Sequence, residues 1–300
     1  MSPAGELAER WAGEARRIEA ALAAALPPAE APPGLLHQAM RYATLGGGKR
    51  LRGFLVLLAA EAVGGRPEPV LPAACAVELI HAYSLIHDDL PCMDDDDWRR
   101  GRPSAHRVFG EALALLAGDA LLTLAFETLV SGGRRAGLPS ELLVRAVGEL
   151  ALAAGSLGMV GGQTEDLLAE GRPADLAGLT EIHRRKTGAL IRASVRLGAL
   201  LSGAHAGRLA ALTRYAEALG LAFQITDDLL DVEGDAAKTG KAVGRDAALA
   251  KATFPALLGV EGARQQAREA VAGAREALTE LGGCGALLGE LADFILERDR

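Results

Sequence analysis

Along residues 69–90 the apolar side chains Val70, Ala73, Ala74, Val77 and Ile80, continued by Ser84 or Leu85, recur at spacings of three and four. That period predicts an α-helix, whereas a half-buried strand would alternate at every second position. Gly and Pro punctuate the chain at 27–34, 64–69, 131–139, 171–173 and 282–285, which predicts breaks at those places. The segments between are each long enough for one or two helices and too short for a domain. No linker, low-complexity tail or repeat interrupts them, so the pattern predicts one all-α domain over residues 1–300, a single large helical bundle with a buried core.

Composition strengthens this reading. Alanine supplies 60 residues, while Val, Ile and Thr together supply 32. Alanine is the best helix former and β-branched residues favour strands. Three cysteines, Cys75, Cys92 and Cys284, form an odd and widely spaced set. They suit buried thiols in a reducing compartment better than a disulfide framework or a zinc site. No uncharged apolar run reaches the ~18–20 residues of a membrane span. Glu6, Glu9 and Arg10 do not suit a signal peptide, so the expectation is a soluble cytoplasmic protein.

Charge changes the picture more. The chain holds 32 Lys+Arg against 39 Asp+Glu, a formal charge of −7. Net acidity argues against nucleic-acid binding. The acidity is concentrated in two places: six aspartates lie between Asp88 and Asp97, and five acids lie between Asp227 and Asp235. Neither stretch contains a Lys or Arg. Without these eleven acids the chain would carry +4.

Each cluster falls on or beside an apolar helical pattern. Pro91 stops the first helix near Leu90. His81, Ser84 and Asp88 share a face at 100° per residue. In the second, Gln224, Asp227, Asp228 and Asp231 follow spacings of three and four, placing an amide and three carboxylates along one stripe. Like charges so arranged repel, and in apolar surroundings they require counter-charge. A hard divalent ion held by a few carboxylates and completed by substrate phosphate answers that requirement for Mg²⁺. A solvated acidic face is the bland alternative for either cluster alone. Bases stand nearby: Arg99 and Arg100 after the first, Lys186 beside Thr187, then Lys238, Lys241, Arg245 and Lys251 after the second. Carboxylate-bound Mg²⁺ with Lys and Arg points to phosphate or diphosphate chemistry. The stretch Gly46-Gly47-Gly48-Lys49 is no nucleotide loop, because Arg50 follows where Ser or Thr is needed. Lys49 and Arg52 there read either as phosphate contacts or as a solvated basic turn. No nucleophile-and-base pair is evident.

At this point the chain resembles the trans-isoprenyl diphosphate synthases. DDLPCMD at 88–94 is similar to their first aspartate-rich motif and DDLLD at 227–231 to their second. GGGKRLR at 46–52, RRGRPSAH at 99–106, GGQTEDL at 161–167, KTGAL at 186–190 and GKAVGRDAALAKATFPALLG at 240–259 follow in the family's order. Bacterial farnesyl and short-chain geranylgeranyl diphosphate synthases are the nearest subgroup. The resemblance implies a homodimer and facing aspartate motifs. It implies about three Mg²⁺ ions, with Mn²⁺ as a substitute, bridging Asp88, Asp94, Asp227 and Asp231 to an allylic diphosphate. Asp89 and Asp228 lie in or behind that shell. Arg99, Lys186 and Lys241 are then expected on the allylic diphosphate, and Lys49, Arg52, His81, Arg100 and Lys251 on isopentenyl diphosphate and its closure. Thr187 and Gln224 are expected to face the developing carbocation.

The implied activity is Mg²⁺-dependent condensation of isopentenyl diphosphate with dimethylallyl or geranyl diphosphate to an all-trans product. Bulk before Asp88 sets the depth of the product pocket. In the family an aromatic residue five positions earlier stops growth at farnesyl length, and here that residue is Tyr83, followed by small Ser84. Geranylgeranyl or geranyl diphosphate is the alternative product. A class I terpene cyclase and a non-catalytic subunit are more distant, the first because two basic sets are present and the second because both aspartate motifs are intact. One departure concerns the fold: Gly53 stands where the family usually has Pro, which predicts a looser start to the following helix.

Overall fold

The computed structural model describes residues 3–172, 175–233 and 252–297. Four helices open the chain: α1 (Pro3–Ala25), α2 (Gly34–Thr44), α3 (Leu51–Ala62) and α4 (Pro67–Asp88). A hairpin of β1 (Trp98–Arg99) and β2 (Arg102–Pro103) follows, holding the only strands among the described residues. The next elements are α5 (Ala105–Phe109), α6 (Glu111–Glu127), α7 (Gly133–Arg135), α8 (Ser140–Ala154), α9 (Met159–Ala169) and α10 (Leu176–His183). A π-helical turn at Arg184–Gly188 leads into α11 (Ala189–Leu201) and the long α12 (Ala206–Glu233). Then come α13 (Phe254–Ala277) and α14 (Ala286–Glu297). The all-α architecture expected from the 3.6-residue period is therefore present.

Helix α4 runs as expected and ends at Asp88, three residues before Pro91. Its apolar positions occur all round the axis, which suits a helix buried on every side. It packs between α3 and α6, with Tyr83, Ile80 and Val77 in one core region. A second core joins α3 and α11 to α12, α13 and α14 around Phe54, Tyr215 and Leu219. Burying this apolar surface, at roughly 25 cal/mol per Å², is the main force holding the bundle. Three helical stretches, Pro67–Asp88, Glu111–Arg135 and Ser140–Ala169, are long and apolar enough to cross a membrane by length and composition alone. In the first, 67% of that apolar window is buried inside the protein. On α6 and α8 several large apolar side chains face outward instead, including Leu116, Val144 and Leu152.

The junction before α3 is tight. Gly53 is buried, and a Cβ there would lie 2.9 Å from Ile18 Cδ1 and 3.3 Å from Glu78 Cγ. Its N–H donates to Glu78 Oε1 at 2.9 Å. The loose helix start expected from a missing Pro is thus replaced by a hydrogen bond that only a non-Pro residue can make.

Candidate active site

The C-terminal end of α4, α9, α10 with its π turn, and α12 enclose a cavity of about 1070 Å³. Both aspartate motifs open into it. Asp88 and Asp94 line it from one side, Asp227 and Asp228 from the other. Asp88 is pushed up to about 6, first by burial and then by Asp94 and Asp89, against the opposing pull of Lys186 and Arg99. At Asp88, burial outweighs the counter-charge of Lys186 and Arg99.

Neighbouring aspartates divide the work. Asp89 is buried and turned aside, with one carboxylate oxygen accepting from Arg99 Nε at 2.9 Å and also from Arg99 Nη2. Asp96 accepts from the same Nη2 at 2.9 Å. Arg99 itself lines the cavity, so the two acids aim its guanidinium. Asp228 is 3% exposed and also acts inward: its Oδ2 accepts from the Phe254 N–H at 3.0 Å and its Oδ1 from Gln224 Nε2 at 3.0 Å. Gln224 Oε1 in turn accepts from the Thr187 hydroxyl at 3.1 Å. One buried carboxylate therefore orients Gln224, the start of α13 and, through Gln224, Thr187.

Lys186 sits on the π turn, whose extra residue per turn rotates the KTG segment relative to α10. Its Nζ donates to Asp166 Oδ2 at 2.6 Å. This contact depends on Gly162, because a Cβ there would run into the Lys186 backbone nitrogen. Burial alone would lower the Lys186 pKa, but Asp166, aided by Asp88 and Asp94, outweighs it and raises it. The ammonium stays charged.

A second basic set, Arg52, His81 and Arg100, lines the same cavity. Arg52 Nε is buried and has no hydrogen-bond partner, which leaves a donor available to a ligand. His81 is held well below its ordinary pKa, by burial and then by Arg52 and Arg100, so it offers a neutral imidazole. The three glycines before Lys49 wrap a side chain: Arg100 Nη1 donates to the Gly47 carbonyl, and a Cβ on Gly48 would meet the Arg100 guanidinium. Gly48, at φ +126, adopts a conformation that side chains rarely allow.

Tyr83 and Ser84 both line the cavity beside Asp88. Tyr83 is 5% exposed, and its ring stands edge-on to His87 at 5.7 Å. It belongs to the main core and walls the cavity as well.

A polyprenyl synthetase family model matches residues 33–281. The chain belongs to the polyprenyl synthetase family. It is 51% identical over 267 residues to the farnesyl diphosphate synthase of Escherichia coli, spanning 88% of this chain and 89% of that one. It is 47% identical over 267 residues to the farnesyl diphosphate synthase of Geobacillus stearothermophilus, spanning 89% and 90%. Among solved structures, the FPP/GFPP synthase of Zymomonas mobilis superposes with a TM-score of 0.87 at 40% identity, covering 98% of this chain and 99% of that one. As a polyprenyl synthetase the protein is a prenyltransferase.

In this polyprenyl synthetase the cavity gathers most of the residues expected from the motifs. Lys49, Asp89 and Asp231 are not among its lining residues, and Lys49 is exposed. Lys241 and Lys251 lie outside the described residues. Among the lining residues not singled out from the sequence are Gln163, Asp166 and His183. Both polar atoms of the Gln163 amide are buried without a partner, as are both ring nitrogens of His183. Burial lowers the His183 pKa to about 4. Gln163 and Asp166 lie within the GGQTEDL motif, which was a usable signal; nothing in the sequence around His183 marks it.

Proposed function

We propose that the protein makes farnesyl diphosphate by condensing isopentenyl diphosphate with dimethylallyl and then geranyl diphosphate. The observation that carries this reading is one cavity lined both by carboxylates from two motifs and by a second basic set, Arg52, Arg100 and His81. Such a lining suits two diphosphates, one allylic at the carboxylates and one isopentenyl at the second basic set, whereas a terpene cyclase has use for only one. Asp88, Asp94 and Asp227 offer only oxygen donors, the set that suits Mg²⁺ and Mn²⁺, and Mg²⁺ is the expected ion. When bound, it neutralises the leaving diphosphate as a Lewis acid.

The chain's own residues supply the rest. Arg99, aimed by Asp89 and Asp96, and Lys186, held charged by Asp166, take up charge on the departing diphosphate as the allylic C–O bond breaks. Arg52 and Arg100 hold isopentenyl diphosphate so that its double bond attacks the allylic carbon, forming the new C–C bond. The Thr187 and Gln224 oxygens lie where dipoles stabilise the cationic intermediate. Loss of one proton, to the released diphosphate, restores the double bond. Tyr83 across the floor supports the farnesyl product.

The fold is read as one domain over residues 1–300. Outward-facing apolar side chains on α6 and α8 support a homodimer. Free cysteines support a cytoplasmic location.

Incubation with dimethylallyl diphosphate and labelled isopentenyl diphosphate, with and without Mg²⁺, followed by chromatography of the dephosphorylated alcohols, tests the reading. A Mg²⁺-dependent C15 alcohol is expected. No chain extension would overturn the synthase reading, and a dominant C20 or C10 alcohol would overturn only the farnesyl assignment.

A further inference from the structure

The first acidic cluster contains more carboxylates than the cavity and Arg99 use. Asp88 and Asp94 line the cavity, while Asp89 and Asp96 hold Arg99. Asp95 and Asp97 remain on the loop leading into β1, both exposed, and neither lines the cavity. One oxygen from each and one ring nitrogen of His106 lie within 4.8 Å of one another.

His106 makes this more than a patch of surface acid. It begins α5 beside Ser104 and is 6% exposed. Its Nδ1 lies 3.2 Å from Ser104 Oγ, and the Ser104 N–H donates to the Asp97 carbonyl at 2.9 Å, so the ring is fixed against the acidic loop. The other ring nitrogen, Nε2, is buried and has no hydrogen-bond partner. It faces Asp97 Oδ1 at 3.9 Å, well beyond hydrogen-bond distance. A buried polar atom left unsatisfied is costly, and this one is aimed at a carboxylate with a gap between them.

We infer that Asp95, Asp97 and His106 form a second cation site, selective for a nitrogen-seeking divalent ion such as Zn²⁺ or Co²⁺ and separate from the Mg²⁺ and diphosphate cavity. An imidazole nitrogen with two carboxylate oxygens is a donor set for such ions, whereas Mg²⁺ prefers oxygen and keeps its waters. Ligand bonds of about 2.0–2.2 Å place tetrahedral donors roughly 3.3 Å apart, so edges within 4.8 Å close by up to about 1.5 Å on loading. The exposed aspartates make that movement while His106 stays fixed. Arg107 Nε, 3.2 Å from Asp97 Oδ1, offers little resistance because that ion pair is exposed on both sides. The bound ion ties the loop after Asp94 to α5 and so braces the hairpin that presents Arg99 and Arg100.

Metal-stripped full-length protein is titrated with Co²⁺ in excess Mg²⁺ and inorganic diphosphate, which keep the cavity carboxylates occupied. Visible absorption of the bound Co²⁺ is recorded. One equivalent is expected to bind with the intensified bands of low-coordinate, nitrogen-ligated Co²⁺ and to be displaced by Zn²⁺. Asp95→Asn and Asp97→Asn, at exposed positions that leave the fold intact, each weaken Co²⁺ binding at least tenfold; His106→Gln abolishes the bands. Asp88→Asn leaves them unchanged. The proposal is overturned if Co²⁺ does not bind, if either exposed Asn variant binds it as the parent does, or if the bands disappear with Asp88→Asn.

Discussion

The backbone N–H of Gly53 and the carboxylate of Glu78 are joined by a 2.9 Å hydrogen bond between two buried residues. The other carboxylate oxygen of Glu78 lies 3.4 Å from Arg50 Nη1, and both side chains are 2% exposed. Arg50 is also bound to Glu19, with Nε at 2.7 Å, and to the Thr44 carbonyl at 2.5 Å. This buried hub fixes the start of α3, and with it Arg52 in the cavity wall.

Breaking the hub is therefore expected to act on both stability and substrate binding. Removing one partner of a buried ion pair costs about 3 kcal/mol, because the other charge stays buried. Glu78→Gln keeps an acceptor for Gly53 but strips the charge facing Arg50. Urea unfolding should show a loss of that order, and the KM for isopentenyl diphosphate should rise several-fold while kcat changes less. Gly53→Pro is expected to be worse, since it loses the N–H and collides with Ile18. Wild-type stability in either variant would contradict the role of the hub.

Asp228 allows a sharper test, because it accepts from two donors, the Phe254 N–H and Gln224 Nε2. In Asp228→Asn one of them must face an amide NH₂ whichever way the side chain turns. Gln224 and the start of α13 then lose their anchor. Turnover should fall by roughly two to three orders of magnitude, as for loss of a preorganised polar contact. The far-ultraviolet circular dichroism should stay helical. Retained turnover would show that Asp228 positions nothing that matters.

Much of this site could be read in the chain, and the failures share a physical origin. The helical period and Pro91 placed the end of α4 within two residues. Helical spacing alone does not say which of two adjacent aspartates faces the cavity, since Asp88 and Asp89 differ only by 100° of helix; the resemblance put Asp88 among the metal ligands and Asp89 in or behind that shell. Spacing put Asp231 on the same stripe as Asp227, yet the cavity does not extend to it. Tyr83 lies about 140° from Asp88 on an ideal helix and still lines the cavity, because the cavity is wide enough to cover several faces of α4. Asp166 meets Lys186 only through the close approach at Gly162, a contact between separate helices that no local pattern encodes.

The raised pKa of Asp88 makes the metal-free protein pH-sensitive in a definite direction. Burial lifts it from 3.8 to about 6, with Asp94 and Asp89 adding and Lys186 and Arg99 opposing. A carboxyl whose folded pKa exceeds its unfolded one favours folding below the unfolded value, and that contribution is lost as pH rises through the folded value. Above about pH 6 the ionised Asp88 costs the metal-free protein up to about 3 kcal/mol. In EDTA at pH 8, Asp88→Asn should melt several degrees higher than the parent, and the gap should vanish by about pH 4. Differential scanning fluorimetry across that range measures it. A gap independent of pH would contradict this account.

On the proposed reading, product length rests on Tyr83. Its ring walls the cavity, stands edge-on to His87 at 5.7 Å, and has Leu79 and Ile80 among the core residues of the preceding turn. The His87 ring is itself seated against Gly118, where any Cβ would collide with it, and His87 lies 3.0 Å from the Leu115 carbonyl, so it has little room to swing aside. Tyr83→Ala therefore opens depth at one point of the floor and leaves the aspartates and bases unchanged. Truncating a buried aromatic costs about 3–5 kcal/mol when the space stays empty, so some stability is lost. The growing prenyl chain can occupy that space and recover part of the apolar contact. C20 and longer alcohols should appear at the expense of C15, with Mg²⁺ dependence and initial condensation rate within a few-fold of the parent. Chromatography of the dephosphorylated products reads the change. An unchanged C15 distribution from a folded, active variant would move the floor away from Tyr83 and towards His87 and Leu115.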